Sequence, residues 1–271
     1  MSNIALVDLD SLFYVFASRS RFLLEVDDMI YTEAMDMKKA LNDFDDLIKT
    51  TQSSFDEVYL FAENPDKQFP NFRNLINPDY KGNRDRGSAP MGTFKLRDFV
   101  YGSYEIMFSR DWLETDDEIC IFWHKKVAEG HDVTLFSKDK DYRELTNVHD
   151  IEGNKPTQPY CPYYWLWQSV IGDSADNVKG VPGIGPVKAM KLFEGATFDL
   201  DKTKGKRALR EQVKTKVSEK DQEQWLIDLA CVSLVDTVVQ SGDWIGLVTD
   251  YTTVSINTET FEFKLEETHA I

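Results

Sequence analysis

Apolar residues fall along this chain in short unbroken runs, and each run stops at a carboxylate. Residues 3–7 (NIALV) lead to Asp8 and Asp10, residues 57–62 (EVYLFA) to Glu63, and residues 132–136 (DVTLF) to Asp139 and Asp141. Runs of that length without alternation suit strands buried on both faces. Between them the period changes. Residues 11–18 and 32–51 carry bulky side chains at helical spacing, and 91–108 alternate bulky and basic residues at nearly that spacing. Residues 116–127 begin with acids, which favour a helix N-terminus. Strands alternating with helices predict an α/β fold, a mostly parallel central sheet flanked by helices. Active sites of such sheets gather at the carboxyl ends of strands. Three strand ends here deliver acids.

From about residue 165 to 235 the pattern is helical, with a basic stretch at 202–210 (KTKGKRALR). The tail, 242–263, is rich in Val, Thr, Ile and Phe and predicts short strands or a hairpin. There is no internal repeat and no low-complexity tract. The segment 172–190, GDSADNVKGVPGIGPVKAM, is the most informative. Pro186 sits where a first helical turn tolerates proline. Gly183 and Gly185, flanking Ile184, permit a tight turn with outward backbone amides. Such amides suit a phosphate, or an ion such as K⁺ bridging to one. Asp173 and Asp176 are three apart, so one helical turn would align both carboxylates.

Composition adds an objection. The 271 residues are 42% hydrophobic and 13% aromatic, as a folded chain with a real core requires, but the net charge is −16. That sign opposes simple nucleic-acid attraction, unless the acids surround divalent ions and the bases line a strand path. Cys120, Cys161 and Cys231 are odd in number and widely spaced, which argues against a disulfide framework and a zinc site. His124, His131, His149 and His269 show no ligand spacing, and Trp165, Trp167 and Trp225 read as core. With no signal-peptide pattern and no membrane-length apolar run, a cytoplasmic protein is expected.

Hard divalent cations take oxygen ligands, and two-metal phosphodiester chemistry needs carboxylates converging on ions about 3.5–4 Å apart. Four motifs then agree in order and spacing: PDYKGNR at 78–84, LETDDEIC at 113–120, SKDKDYREL at 137–145 and GDSADNVKGVPGIG at 172–185. Together with Asp8 they resemble the 5′ nuclease family, which comprises bacteriophage 5′-exonucleases, flap endonucleases and the 5′-nuclease domain of bacterial DNA polymerase I. The resemblance runs from residue 4 to about 192, more faintly over 225–237, and is nearer the small phage enzymes than the eukaryotic flap endonucleases.

The resemblance implies an α/β nuclease core over 1–165 with a helical arch at about 81–113. It implies a helix–three-turn–helix DNA-binding region and C-terminal extension over 166–271. One metal cluster would be Asp8, Glu114, Asp116 and Asp117, and the second Asp139, Asp141, Asp173 and Asp176, holding two Mg²⁺ or Mn²⁺ ions. The family's strand-end aspartate has no clean counterpart: strand register favours Glu63, while spacing to the Phe72–Arg73 pair favours Asp66. Asp10 has no transferable role, and an N-cap is one reading. Lys81 and Arg84 would face the scissile phosphate and stabilise developing charge. Tyr80 would stack on a terminal base, and Arg73 would support Lys81 or touch phosphate. Arg86, Lys95 and Arg97 would line the arch, with Lys179 and Lys188 reaching the duplex from the hairpin.

The implied activity is metal-dependent hydrolysis of DNA from 5′ ends, flaps or nicks, extending to RNA–DNA hybrids, in replication or repair. The protein would be a monomer working beside a replication polymerase or single-strand DNA-binding protein, away from membranes. A non-cleaving helix-hairpin-helix protein or a PIN-like ribonuclease is the rival reading. The first would not need the acids; the second leaves residues 172–190 unexplained.

Overall fold

The computed structural model describes residues 1–27, 30–84, 89–150, 160–193 and 203–268. The chain runs through β1 (Asn3–Asp8), α1 (Leu9–Arg19), β2 (Arg21–Asp27), β3 (Ile30–Met35), α2 (Met37–Ser54), β4 (Glu57–Ala62), α3 (Phe72–Ile76) and α4 (Thr93–Ser103). It continues through β5 (Met107–Phe108), α5 (Thr115–Ala128), β6 (Asp132–Phe136), a 3₁₀ turn at Lys140–Glu144 and β7 (Val148–His149). Next come α6 (Tyr164–Ile171), α7 (Pro186–Phe193), α8 (Thr203–Lys214) and α9 (Gln222–Val232). A meander closes the chain: β8 (Thr237–Ser241), β9 (Trp244–Val248), β10 (Thr252–Asn257) and β11 (Phe263–Glu267).

The central sheet has the order β5-β4-β1-β6-β7, with every pair parallel. Its inner strands feed two cores, which is why their sequences run apolar without a break. Ile4, Leu6, Phe61 and Leu135 face a core shared with Cys120, Trp165, Trp225 and Leu229. Val7, Leu60 and Ala62 face the other, packed against Leu12, Phe16, Phe44, Leu96 and Val100. The α/β architecture expected from the pattern is the one observed. The meander forms a separate antiparallel sheet, β11-β10-β9-β8, and seats Leu247, Tyr251, Val254 and Ile256 on the first core.

Three local expectations are corrected. The helix expected over 32–51 begins only at Met37, because Asp36 caps it, its carboxylate accepting from the Lys39 amide at 2.9 Å. Residues 32–35 instead pair antiparallel with β2. The helical reading of 91–108 holds for Thr93–Ser103, after which the chain extends to pair with β4.

The third correction concerns Asp173 and Asp176, which lie on no helix. Asp173 and Val178 exchange both backbone hydrogen bonds at 2.8 Å, closing a tight loop. Gly172 and Gly180 make it possible: both have positive φ (+83° and +71°), and a Cβ on Gly180 would meet Gly172 N at 2.4 Å. Only glycines can pass this close. The Gly180 amide donates to Asp228 Oδ2 at 2.9 Å and the Val181 amide to the Val170 carbonyl at 2.9 Å, fixing the loop to α9 and α6.

Gly180→Ala should therefore lose more than about 2 kcal/mol in urea unfolding through strain and collision. Gly102→Ala in α4, where a Cβ meets open space, should be neutral or stabilising by up to about 1 kcal/mol. Equal effects at the two glycines would refute this account of the loop.

Candidate active site

Acids converge along the carboxyl edge of the parallel sheet. Asp8 ends β1, is 5% exposed, and accepts from the Ser11 amide (3.4 Å) and Ser137 Oγ (2.7 Å). Burial, then Asp10 and Asp139, push its carboxyl up to about 7. Asp8 is thus the N-cap of α1, and Asp10 is not. Asp10 instead reaches across to accept from the Glu63 amide (2.9 Å) and Thr115 Oγ1 (2.6 Å). Glu63 follows β4 and joins the same group, with Oε2 3.1 Å from Ser109 Oγ and 3.3 Å from Thr115 Oγ1. Lys67 bridges Glu63 Oε1 (2.6 Å) and the Leu113 carbonyl. Asp66 is exposed and outside this set of contacts, its amide turned onto Asn64 Oδ1 at 2.9 Å.

Beyond β6 the chain turns through a ladder of side-chain caps. Ser137 Oγ accepts from the Asp139 amide at 3.0 Å, and Asp139 Oδ1 accepts from the Asp141 amide at 2.9 Å. Burial and then Asp139 raise the Asp141 carboxyl to about 6. Asp141, Asp173 and Asp176 each present an oxygen within 4.8 Å of the others. Lys140 Nζ lies 3.1 Å from Asp141 Oδ1 and 2.6 Å from Asp173 Oδ2. Gln168 Nε2 donates to the same two carboxylates (3.0 and 2.8 Å), while its buried Oε1 has no partner among the described residues.

The start of α5 supplies the remaining acids and a buried hub. Glu114 and Asp117 form a capping box, the Glu114 amide donating to Asp117 Oδ2 at 3.0 Å. Asp117 is fully buried and receives Arg73 bidentately, at 2.6 and 2.7 Å, with the Val235 amide at 3.0 Å. Arg73 also donates to the carbonyls of Cys231 and Ser233 (both 2.8 Å) and to Glu114 Oε2 (3.4 Å). A guanidinium has five N–H groups, and all five are used. At Asp116 burial, then Glu114 and Asp117, outweigh Arg73 and Lys81 and drive the carboxyl well up. Glu114 goes the other way, because Lys81 and Arg73 outweigh its burial and hold it at about 2.

Residues 79–84 lie against the 173–178 loop. The Lys81 amide donates to the Asp176 carbonyl (2.9 Å), Asn83 Nδ2 to the Ser174 carbonyl (2.7 Å) and Asn177 Nδ2 to the Asp79 carbonyl (2.8 Å). Lys81 Nζ pairs with Glu114 Oε1, and Arg84 with Asp176 Oδ1 at 2.5 Å. The Tyr80 hydroxyl lies between Glu114 Oε2 (3.0 Å) and Asp176 Oδ2 (3.3 Å).

Arg73 is 1% exposed with every donor spent inside the protein, so of its two expected roles the structure leaves support of Lys81, through Glu114, and not a phosphate contact. Tyr80 is 4% exposed and presents no ring face for the expected stacking on a base. Asp117 is likewise filled by Arg73, and Asp8, Glu114, Asp116 and Asp117 form no group as tight as Asp141, Asp173 and Asp176 among the described residues. Lys95, Lys179 and Lys188 are exposed; Arg97 stacks over Phe94 (5.2 Å) and pairs with Asp98 (3.2 Å). Gly183 (φ +76°) and Gly185 are exposed at the hairpin, Ile184 anchors it to the core, and Lys188 Nζ donates to the Gly183 carbonyl at 2.8 Å. Arg86, His269 and part of the 202–210 stretch lie outside the described residues. Sequence reasoning missed Lys67, Thr115, Ser137, Lys140 and Gln168; only the placing of Thr115, Ser137 and Lys140 inside acidic motifs hinted at them.

This donor set suits a hard divalent cation. Carboxylate oxygens of Asp141, Asp173 and Asp176 meet there, and burial with the neighbouring Asp139 raises the Asp141 carboxyl, a charge deficit that a cation would relieve. Lys81 and Arg84 stand next to it as donors for an anion.

No family model matches the chain. It is 37% identical over 141 residues to a DNA polymerase I of Rhizobium leguminosarum, covering 45% of this chain and 14% of the polymerase. It is 26% identical over 196 residues to the exodeoxyribonuclease of Enterobacteria phage T3, covering 68% of this chain and 64% of the phage protein. The chain thus spans about two-thirds or less of the length of these relatives. Among solved structures, the phage T5 D15 protein co-crystallised with metal ions aligns with a TM-score of 0.56 at 19% identity, over 85% of this chain and 89% of that one. The T5 protein shares the fold, and the resemblance read from the four motifs stands.

Raised carboxyls make the apo protein's stability fall as pH rises. Asp8 and Asp141 (about 7 and about 6 when folded, ordinarily 3.8) favour folding in their protonated forms. Their contribution is lost as pH climbs through about 6 to 7. In EDTA, Tm should drop between pH 5.5 and 8, and saturating Mg²⁺ should flatten the drop. A metal-free Tm that rises over that interval would contradict this assignment. Arg73→Met, which strands Asp117, should cost about 3–5 kcal/mol in urea unfolding; a loss below 1 kcal/mol would show that Asp117 finds another partner.

Proposed function

We propose that this protein is a divalent-metal-dependent 5′ nuclease that hydrolyses phosphodiester bonds of DNA near 5′ ends, flaps or nicks. The observation that carries the reading is the meeting, at one sheet edge, of acids from three of the four motifs with Lys81 and Arg84, which the remaining motif docks among them. Similarity to phage exonucleases and to DNA polymerase I supports it. The crowded acids weigh against a binding-only role, since like-charged carboxyls raise each other's pKa and weaken the fold unless a cation joins them.

In this reading Asp141, Asp173 and Asp176 hold one Mg²⁺ or Mn²⁺, and Asp8, Asp10, Glu63, Asp116 and Asp139 flank a second. When bound, such ions activate water and polarise the phosphate. Lys81 exchanges Glu114 for a phosphate oxygen and Arg84 exchanges Asp176, each donating to charge that builds on the phosphorus centre. Glu114 keeps Lys81 charged and aimed, and Tyr80 keeps Glu114 and Asp176 at a fixed separation. Residues 1–165 carry the chemistry, while 166–271, with the Gly183–Gly185 turn and Lys179, grip duplex backbone without reading bases. RNA–DNA hybrids would bind by the same backbone contacts. A K⁺ ion between the turn and a phosphate fits the exposed backbone there.

Asp116→Asn and Asp139→Asn should each cut the single-turnover rate on a 5′-labelled flap at least about a thousandfold, with binding to the same flap in EDTA retained. Lys81→Ala should cost about a hundredfold or more. Full activity in either aspartate variant, or in excess EDTA, would remove this function. Product lengths from 5′- and 3′-labelled flap, nicked and blunt duplexes would separate stepwise exonuclease products from a single flap-length product.

A further inference from the structure

Away from the sheet edge, α5 carries a different ligand set. Cys120 and His124 are four residues apart on one face of the helix, and Asp236, from the segment entering β8, meets both. Asp236 Oδ1 is 3.6 Å from Cys120 Sγ and 3.2 Å from His124 Nε2. All three donor atoms lie within 4.8 Å of one another. Zinc bonds of about 2.3 Å to sulfur and 2.0–2.1 Å to nitrogen or oxygen imply donor separations of about 3.3–3.5 Å around a tetrahedron. The 3.6 and 3.2 Å separations sit on either side of that range. The sequence hid this set because its third member is more than 100 residues from the other two.

We propose that Cys120, His124 and Asp236 bind one Zn²⁺ ion, with water as fourth ligand, fastening α5 to the chain that enters β8. The donor chemistry separates this site from the all-oxygen acids: sulfur and imidazole select a softer ion than Mg²⁺. Thiolate and carboxylate together neutralise Zn²⁺, and binding releases the thiol proton to water. Cys120 is fully buried, whereas the His124 side chain is 42% exposed, so an ion reaches the sulfur from the imidazole side. Without an ion, burial and then Asp236, Asp117 and Asp250 hold the thiol protonated. The third ligand is held in place: the Asp236 amide donates to the Val248 carbonyl at 2.8 Å, and the preceding Val235 amide to Asp117 at 3.0 Å.

The test uses the full chain, stripped with chelator and titrated with Co²⁺ alone in excess Mg²⁺. One equivalent should produce thiolate-to-cobalt absorption that Zn²⁺ abolishes. The band should survive in Asp116→Asn and vanish in Cys120→Ser. His124→Gln, at a half-exposed position, should leave the circular dichroism spectrum unchanged and weaken Zn²⁺ at least about tenfold. No band in the unaltered protein, or a band that persists in Cys120→Ser, overturns the proposal. Neither reading involves DNA, so the outcome is independent of nuclease activity.

Discussion

One buried guanidinium sets the geometry on which the rest depends. Arg73 leaves α3, spends two N–H groups on Asp117 and a third on Glu114, and reaches the carbonyls that end α9 with the other two. Removing two charges from water costs several kcal/mol each, and the pair repays that only because every donor is matched. What it secures is arrangement. With Arg73 in place, Asp117 is fixed, the first turn of α5 is fixed through the capping box, and Glu114 points toward Lys81 and Tyr80. Arginine's planar fork is essential to this, because an ammonium's three donors on one nitrogen cannot meet five acceptors at once.

Around that hub the acids divide by partner. Glu114 faces Lys81 and Arg73 and stays ionised; Asp173 faces Lys140 and is lowered as well, its burial notwithstanding. Asp8, Asp116 and Asp141 are raised by burial and by adjacent carboxylates, which outweigh the cations near Asp116 and Asp141. The first set keeps cations aimed, and the second set carries the unmet demand for positive charge. In the proposed function, ions would offset these carboxyls of a chain of net charge −16, while Lys95, Lys179 and Lys188 stand on the outside.

Much of this was legible in the sequence. The strands at 57–62 and 132–136 appear with the expected bounds, because runs buried on both faces leave no alternation to misread. Pro186 opens α7 as its fixed φ requires. The misreadings share a cause: residue type does not say which way a side chain faces. Arg73 and Tyr80 have the chemistry of a DNA contact, yet the core takes both. Residues 32–35 kept a helical period while pairing as a strand, since Asp36 supplies the stop signal and apolar spacing does not. Asp173 and Asp176 meet through a glycine-bounded loop, whose closure depends on Gly180 packing against a backbone eight residues earlier.

The Arg73 hub also imposes an order of assembly. Its donors need carbonyls at Cys231 and Ser233, and Asp117 needs the amide of Val235. A ribosome emits the N-terminal acids early, but these partners emerge only after residue 235. Until then Arg73 lacks two of its acceptors, and the first turn of α5 lacks its anchor. Contacts spanning about 160 positions are slow to close. A polypeptide not yet grown past residue 235 therefore holds these acids without the contacts that fix them.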